Sequence, residues 1–104
     1  MGMYTELVCS FNLVQDVPYC VVQAIKFMTG QTSKMPPLPN GTDLDLAGME
    51  RILRSASYSF AGESYSSVIW CETSKIWTVT VRCSLKNYEQ EVQQFIRWVS
   101  AFVD

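Results

Sequence analysis

The chain has 104 residues, 48% of them hydrophobic, which suits one globular domain with a core and excludes a disordered segment. Its 8 Lys and Arg are scattered among 10 Asp and Glu, giving a formal charge of −2, so a phosphate-tracking nucleic-acid surface is not expected. The lack of any His removes Ser-His and Cys-His nucleophile pairs.

Residues 4–14 alternate, with Leu7, Cys9, Phe11 and Leu13 on one side and Glu6, Ser10 and Asn12 on the other. That period of two predicts a half-buried strand. A helix should follow, with Asp16 as its N-cap, Pro18 in its first turn, and Val21, Val22, Ile25 and Met28 facing inward. Gly30 is placed to end it in the left-handed conformation. Residues 31–43, "QTSKMPPLPNGTD", form the one long irregular stretch; Pro36, Pro37 and Pro39 stiffen it and Asn40-Gly41 marks a turn. A short helix is expected at 46–54, capped by Asp45, with Leu46, Met49, Ile52 and Leu53 apolar.

A meander of three strands is expected next, at 55–60 ("SASYSF"), 65–72 ("YSSVIWCE") and 76–85 ("IWTVTVRCSL"). The last of these sets Trp77, Val79, Val81, Cys83 and Leu85 against Ile76, Thr78, Thr80, Arg82 and Ser84. The middle one is ambiguous, since either Val68 with Trp70 or Ile69 with Cys71 could face inward. The second choice is preferred, which turns Trp70 outward. The stretch "NYEQEVQQFIRWVSAFVD" is the clearest helix, with Asn87 as cap and Gln90 at the capping-box position. Tyr88, Val92, Phe95, Ile96, Val99 and Phe102 recur along it at helical spacing, with Trp98 beside the stripe.

The expected fold is a single α+β domain over 1–104, in the order β-α-(short α)-β-β-β-α. It is a two-layer sandwich whose mostly antiparallel four-stranded sheet carries both long helices on one face. The order is similar to that of ferredoxin-like folds, with an extra strand in the meander and no final one. The other face should then be open, and the candidate interaction surface on it is Tyr4, Ser57, Ser59, Trp70, Thr78, Thr80 and Arg82. A Trp among short polar side chains suits a protein contact.

Motifs for chemistry are weak. "GESYS" (62–66) ends in Ser66 where a nucleophile elbow needs Gly, and it lies between strands. Asp43, Asp45 and Gly48 mimic the start of a calcium loop, but Ala47 and Arg54 stand where ligands are required. "PPLP" (36–39) is a short match to proline-reading ligands, and "NGT" (40–42) is a glycosylation sequon with no secretion signal in "MGMYTELVCS". Glu6 stands where a myristoylation pattern needs Ser or Thr. Cys9, Cys20, Cys71 and Cys83 form no Cys-x-x-Cys pair and read as reduced core thiols rather than a zinc site. Glu63, Glu72, Asp43, Arg51 and Arg54 are available for acid–base work, but no spacing brings any pair together.

The expectation is thus a small cytoplasmic protein without cofactor or metal, more a binder than an enzyme. It acts through a protein partner, its own copy included as a homodimer, and not through nucleic acid or membrane. Inhibitors, immunity factors and adaptors of bacteria and phages share its size and charge. The alternative is a small-ligand-binding domain or modest enzyme with a pocket under the 31–45 loop, where Pro36 to Asp45 act as a lid.

Overall fold

Two periodicities in the chain set its two kinds of element. The structure, a computed structural model, describes residues 5–38, 44, 46–54, 65–85 and 90–104. In order these form strand β1 (Thr5–Asn12), helix α1 (Tyr19–Met28), two 3-10 turns (Leu46–Met49 and Ile52–Arg54), strands β2 (Tyr65–Cys71) and β3 (Ile76–Leu85), helix α2 (Glu91–Val99) and a closing 3-10 turn (Ser100–Phe102). The result is a small α+β fold with two helices and a three-stranded antiparallel sheet in the order β1-β3-β2.

Both helices begin later than their capping residues predict. Pro18 is the N-cap of α1 and offers no side-chain cap, while Asp16 lies in the preceding turn. Gln90, expected inside α2, instead caps it with a left-handed backbone at φ 58°, and Glu91 supplies the negative charge that suits the first turn. Asn87 and Tyr88 lie outside the described residues. The C-terminal end of α1 matches its sequence signal. Gly30 is left-handed at φ 77°. Its N–H donates to the Phe27 carbonyl at 3.3 Å, and the Gln31 N–H donates to the Lys26 carbonyl at 2.8 Å. This 6→1 and 5→2 pairing is the Schellman arrangement, which satisfies carbonyls a helix end leaves bare.

The helix expected at 46–54 is instead two 3-10 turns separated by Glu50 and Arg51, and the Arg51 φ of 58° lies outside the α-helical region. The Arg51 N–H donates to the Phe27 carbonyl at 3.2 Å, tying this segment to the end of α1. The break lets Leu46, Met49 and Leu53 all reach the core.

Residues paired directly across antiparallel strands share a face. Leu7, Cys9 and Phe11 of β1 lie opposite Cys83, Val81 and Val79 of β3. From the other side, Val68 lies opposite Val79 and Trp70 opposite Trp77. Val68 is therefore on the core face, and it is 2% exposed. The preferred sequence reading of β2 is corrected here: Val68 and Trp70 face the core side, while Ile69 and Cys71 face away. Val79, Val81, Cys83 and Leu85 are buried with α1 residues Val21, Val22, Ala24, Ile25, Phe27 and Met28 and α2 residues Phe95 and Val99 in one hydrophobic cluster. Ile96, expected on the inner stripe of α2, is exposed.

The sheet has three described strands rather than four, and 55–60 lies outside the described residues. The outer backbone groups of Val68 in β2 are taken by a side chain. Its N–H donates to Gln31 Oε1 at 2.8 Å, and its carbonyl accepts from Gln31 Nε2 at 3.2 Å. The primary amide of Gln31 thus meets both backbone groups of Val68 as a peptide unit would. At the opposite edge, residues 102–104 close on the end of β1. The Val14 N–H donates to the Phe102 carbonyl, and the Asp104 N–H donates to the Asn12 carbonyl, each at 2.9 Å.

Candidate functional site

The face of the sheet turned away from the core is built by alternation. β1 contributes Glu6, Val8, Ser10 and Asn12; β3 contributes Ile76, Thr78, Thr80, Arg82 and Ser84; β2 contributes Tyr65, Ser67, Ile69 and Cys71. Register sorts these into rows across the strands: Val8, Arg82 and Tyr65; Ser10, Thr80 and Ser67; Asn12, Thr78 and Ile69. The middle row is short and hydroxylated, with Ser10 and Thr80 hydroxyls 3.5 Å apart. In the next row the Thr78 hydroxyl donates to Asn12 Oδ1 at 2.9 Å. Val8, Tyr65 and Ile69 are 63%, 59% and 55% exposed, so the rows on either side of the hydroxyls present apolar surface. Glu6 and Arg82 carry opposite charges on this face, and neither has an ion-pair partner among the described residues.

Of the expected contact residues, Thr78, Thr80 and Arg82 stand on this face. Trp70 does not; it lies on the core side at the edge of the sheet, 37% exposed. Tyr4, Ser57 and Ser59 lie outside the described residues. The expected contact set left out Val8, which alternation already turns to this face, and sequence reading missed Tyr65 and Ile69. A usable signal was present for β2, since four residues, Glu72 to Lys75, separate Cys71 from Ile76. Pairing Cys71 with Ile76 across such a turn carries Trp70 to Trp77 and Val68 to Val79, onto the apolar side of β3.

On the core side, Trp70 joins an aromatic group at the end of the sheet. Its ring centroid is 5.3 Å from that of Trp77, and the Tyr19 ring centroid lies 6.4 Å from that of Trp77. The Lys26 ammonium sits over both, 5.1 Å from the Trp77 centroid and 6.0 Å from that of Tyr19. Position 26 follows position 19 by two helical turns, which brings the two side chains onto one face of α1. Beside this group opens a cavity of about 350 Å³, lined by Tyr19, Gln23, Lys26, Gln31, Thr32, Lys34, Pro36 and Pro37. This cavity lies between the start of the long loop and α1, and residues 39–43 and 45 of the expected lid lie outside the described residues. A second hollow of about 270 Å³ is apolar, formed by Met35 to Leu38 with Leu44 and Leu46.

Reactive groups are few. All four cysteines are free. Burial and the neighbouring Cys9 push the Cys83 thiol up to about 11, and burial alone raises Cys9. Cys71, at the open end of β2, is lowered by hydrogen bonding from Ser74, through its side chain first and its backbone second. Glu72 is engaged with Lys75 at 2.9 Å in the β2–β3 turn. Among the described residues no group of His, Cys, Asp or Glu is placed to hold a metal ion, and no helix is long and apolar enough to cross a membrane. Comparison with protein-family models, curated proteins and solved structures gives no match for this chain.

Proposed function

We propose that this is a non-catalytic protein that works by protein–protein contact through the open sheet face, and that a second copy of the chain is one partner. The observation that carries the reading is the exposure of Val8, Tyr65 and Ile69 around a row of short hydroxyls. Flat apolar surface with small polar relief packs against a like surface, and large exposed apolar groups mark contact sites. Charge favours a copy over an unrelated protein. Glu6 and Arg82 are unpaired within the described face and of opposite sign, so a two-fold related copy can set each against the other. In this reading both helices cover the opposite side, in the two-layer arrangement the single buried cluster supports. Four free thiols favour a reducing, cytoplasmic setting.

The three described strands offer fewer side chains than the roughly 20–30 a side of a standard interface, which favours a weak, concentration-dependent association. Light-scattering mass measured across a concentration series tests it. The mass should rise toward twice the chain mass, and Ile69→Lys with Val8→Lys should abolish the rise while Trp70→Ala leaves it intact. A chain that stays monomeric at every concentration, or a rise that survives the lysine pair, overturns the reading.

A further inference from the structure

The cavity beside α1 differs in charge from the net balance of the chain. The whole chain is acidic, with 8 basic against 10 acidic residues, yet the described lining holds Lys26 and Lys34 and no carboxylate. Neither ammonium has an ion-pair partner among the described residues. Lys26 is also held in place. Its stem is partly buried on α1, and its ammonium lies over Trp77 and Tyr19, so little side-chain freedom remains to be lost on binding.

We propose that this cavity binds a small phosphate monoester, its phosphate between Lys26 and Lys34 and its organic body against Tyr19. Two ammoniums act as point charges, which suits a compact dianion better than the planar, two-pronged recognition an Arg would bring. Gln23 and the Thr32 hydroxyl add neutral hydrogen-bonding groups to the lining. The Thr32 hydroxyl already accepts from the Lys34 N–H at 3.2 Å, so its own proton remains available to a ligand oxygen. Pro36 and Pro37 form a stiff wall, which lowers the ordering cost. At about 350 Å³ the space falls within the range of small-molecule sites and exceeds what a bare phosphate fills. The inference is independent of the sheet-face contact, which lies on the other side of the strands.

Phenyl phosphate serves as the probe, with phenol as its uncharged counterpart, titrated at low salt by calorimetry and tryptophan fluorescence. Saturable binding of phenyl phosphate is expected, with a change in Trp77 emission as the anion partly neutralises the Lys26 ammonium above the ring, and phenol should bind at least about tenfold more weakly. Lys34→Gln, at an exposed position, should weaken phenyl phosphate about threefold to tenfold, and Lys26→Gln with Lys34→Gln should abolish measurable binding. Should Lys26→Gln fail to fold, Lys34→Gln and the salt dependence of wild-type binding carry the test alone. Absence of saturable binding, equal affinity for phenol, or affinity unchanged in Lys34→Gln and insensitive to salt overturns the proposal.

Discussion

Gln31→Ala tests the most unusual contact in the fold. The native amide makes two hydrogen bonds to the Val68 backbone, at 2.8 and 3.2 Å, and accepts a third from the Thr29 hydroxyl at 2.7 Å. A net contribution of about 0.5–1.5 kcal/mol per bond gives roughly 2–4 kcal/mol for the three. Freeing a Gln side chain returns about 1 kcal/mol of rotamer entropy to the variant, and water reaches part of this site, so a loss of about 2 kcal/mol is expected. Urea unfolding followed by circular dichroism and tryptophan emission measures it. Gln31→Glu separates this mechanism from simple loss of packing. An ionised carboxylate still accepts from the Val68 N–H but cannot donate to the Val68 carbonyl, and it sets negative charge against that oxygen. Gln31→Glu should therefore also lose stability although its side chain fills the same space, which packing alone would not require. A loss under about 0.5 kcal/mol in Gln31→Ala, or a Gln31→Glu variant as stable as the native protein, would refute the account.

Gly30→Ala should cost about 1–2 kcal/mol in urea unfolding, because φ is 77° there and an added Cβ would stand 2.9 Å from Arg54 Cδ. An unchanged midpoint would mean the Schellman turn relaxes without strain. Thiol labelling at pH 8 should strike Cys71 first and Cys83 last. With its pKa near 11, Cys83 is ionised in only about one molecule in a thousand at that pH. Cys71→Ser should remove the fastest phase, and its persistence would contradict the Ser74 contact. In alkali, the raised Cys83 value has a definite sign. The unfolded thiol ionises near 9.0 and the folded one near 11, so the folded state holds the extra proton between them and stability falls across that window. Cys83→Val should flatten the fall, and an equal slope in both proteins would count against burial as the cause.

What a single segment could determine, it did. Val79, Val81, Cys83 and Leu85 share a face by alternation alone, and Val21, Val22, Ile25 and Met28 share one by the helical period; all eight are buried. Gly30 announced the end of α1, because few other residues adopt a left-handed backbone cheaply. Alternation, however, says which residues lie together and not which side they take. For β2 both sides carry large apolar groups, and only pairing with β3 decided that Val68 goes in and Ile69 stays out. The same holds for Gln31, a polar loop residue whose role exists only because Val68, 37 positions away, presents a free backbone edge to it. The gathering of Lys26 and Lys34 around a cavity is likewise a product of how the loop after α1 folds back. Local geometry follows from local sequence because its energy terms reach one turn or one pleat. Faces, edges and cavities depend on contacts between distant segments, and those were settled only when the chain packed.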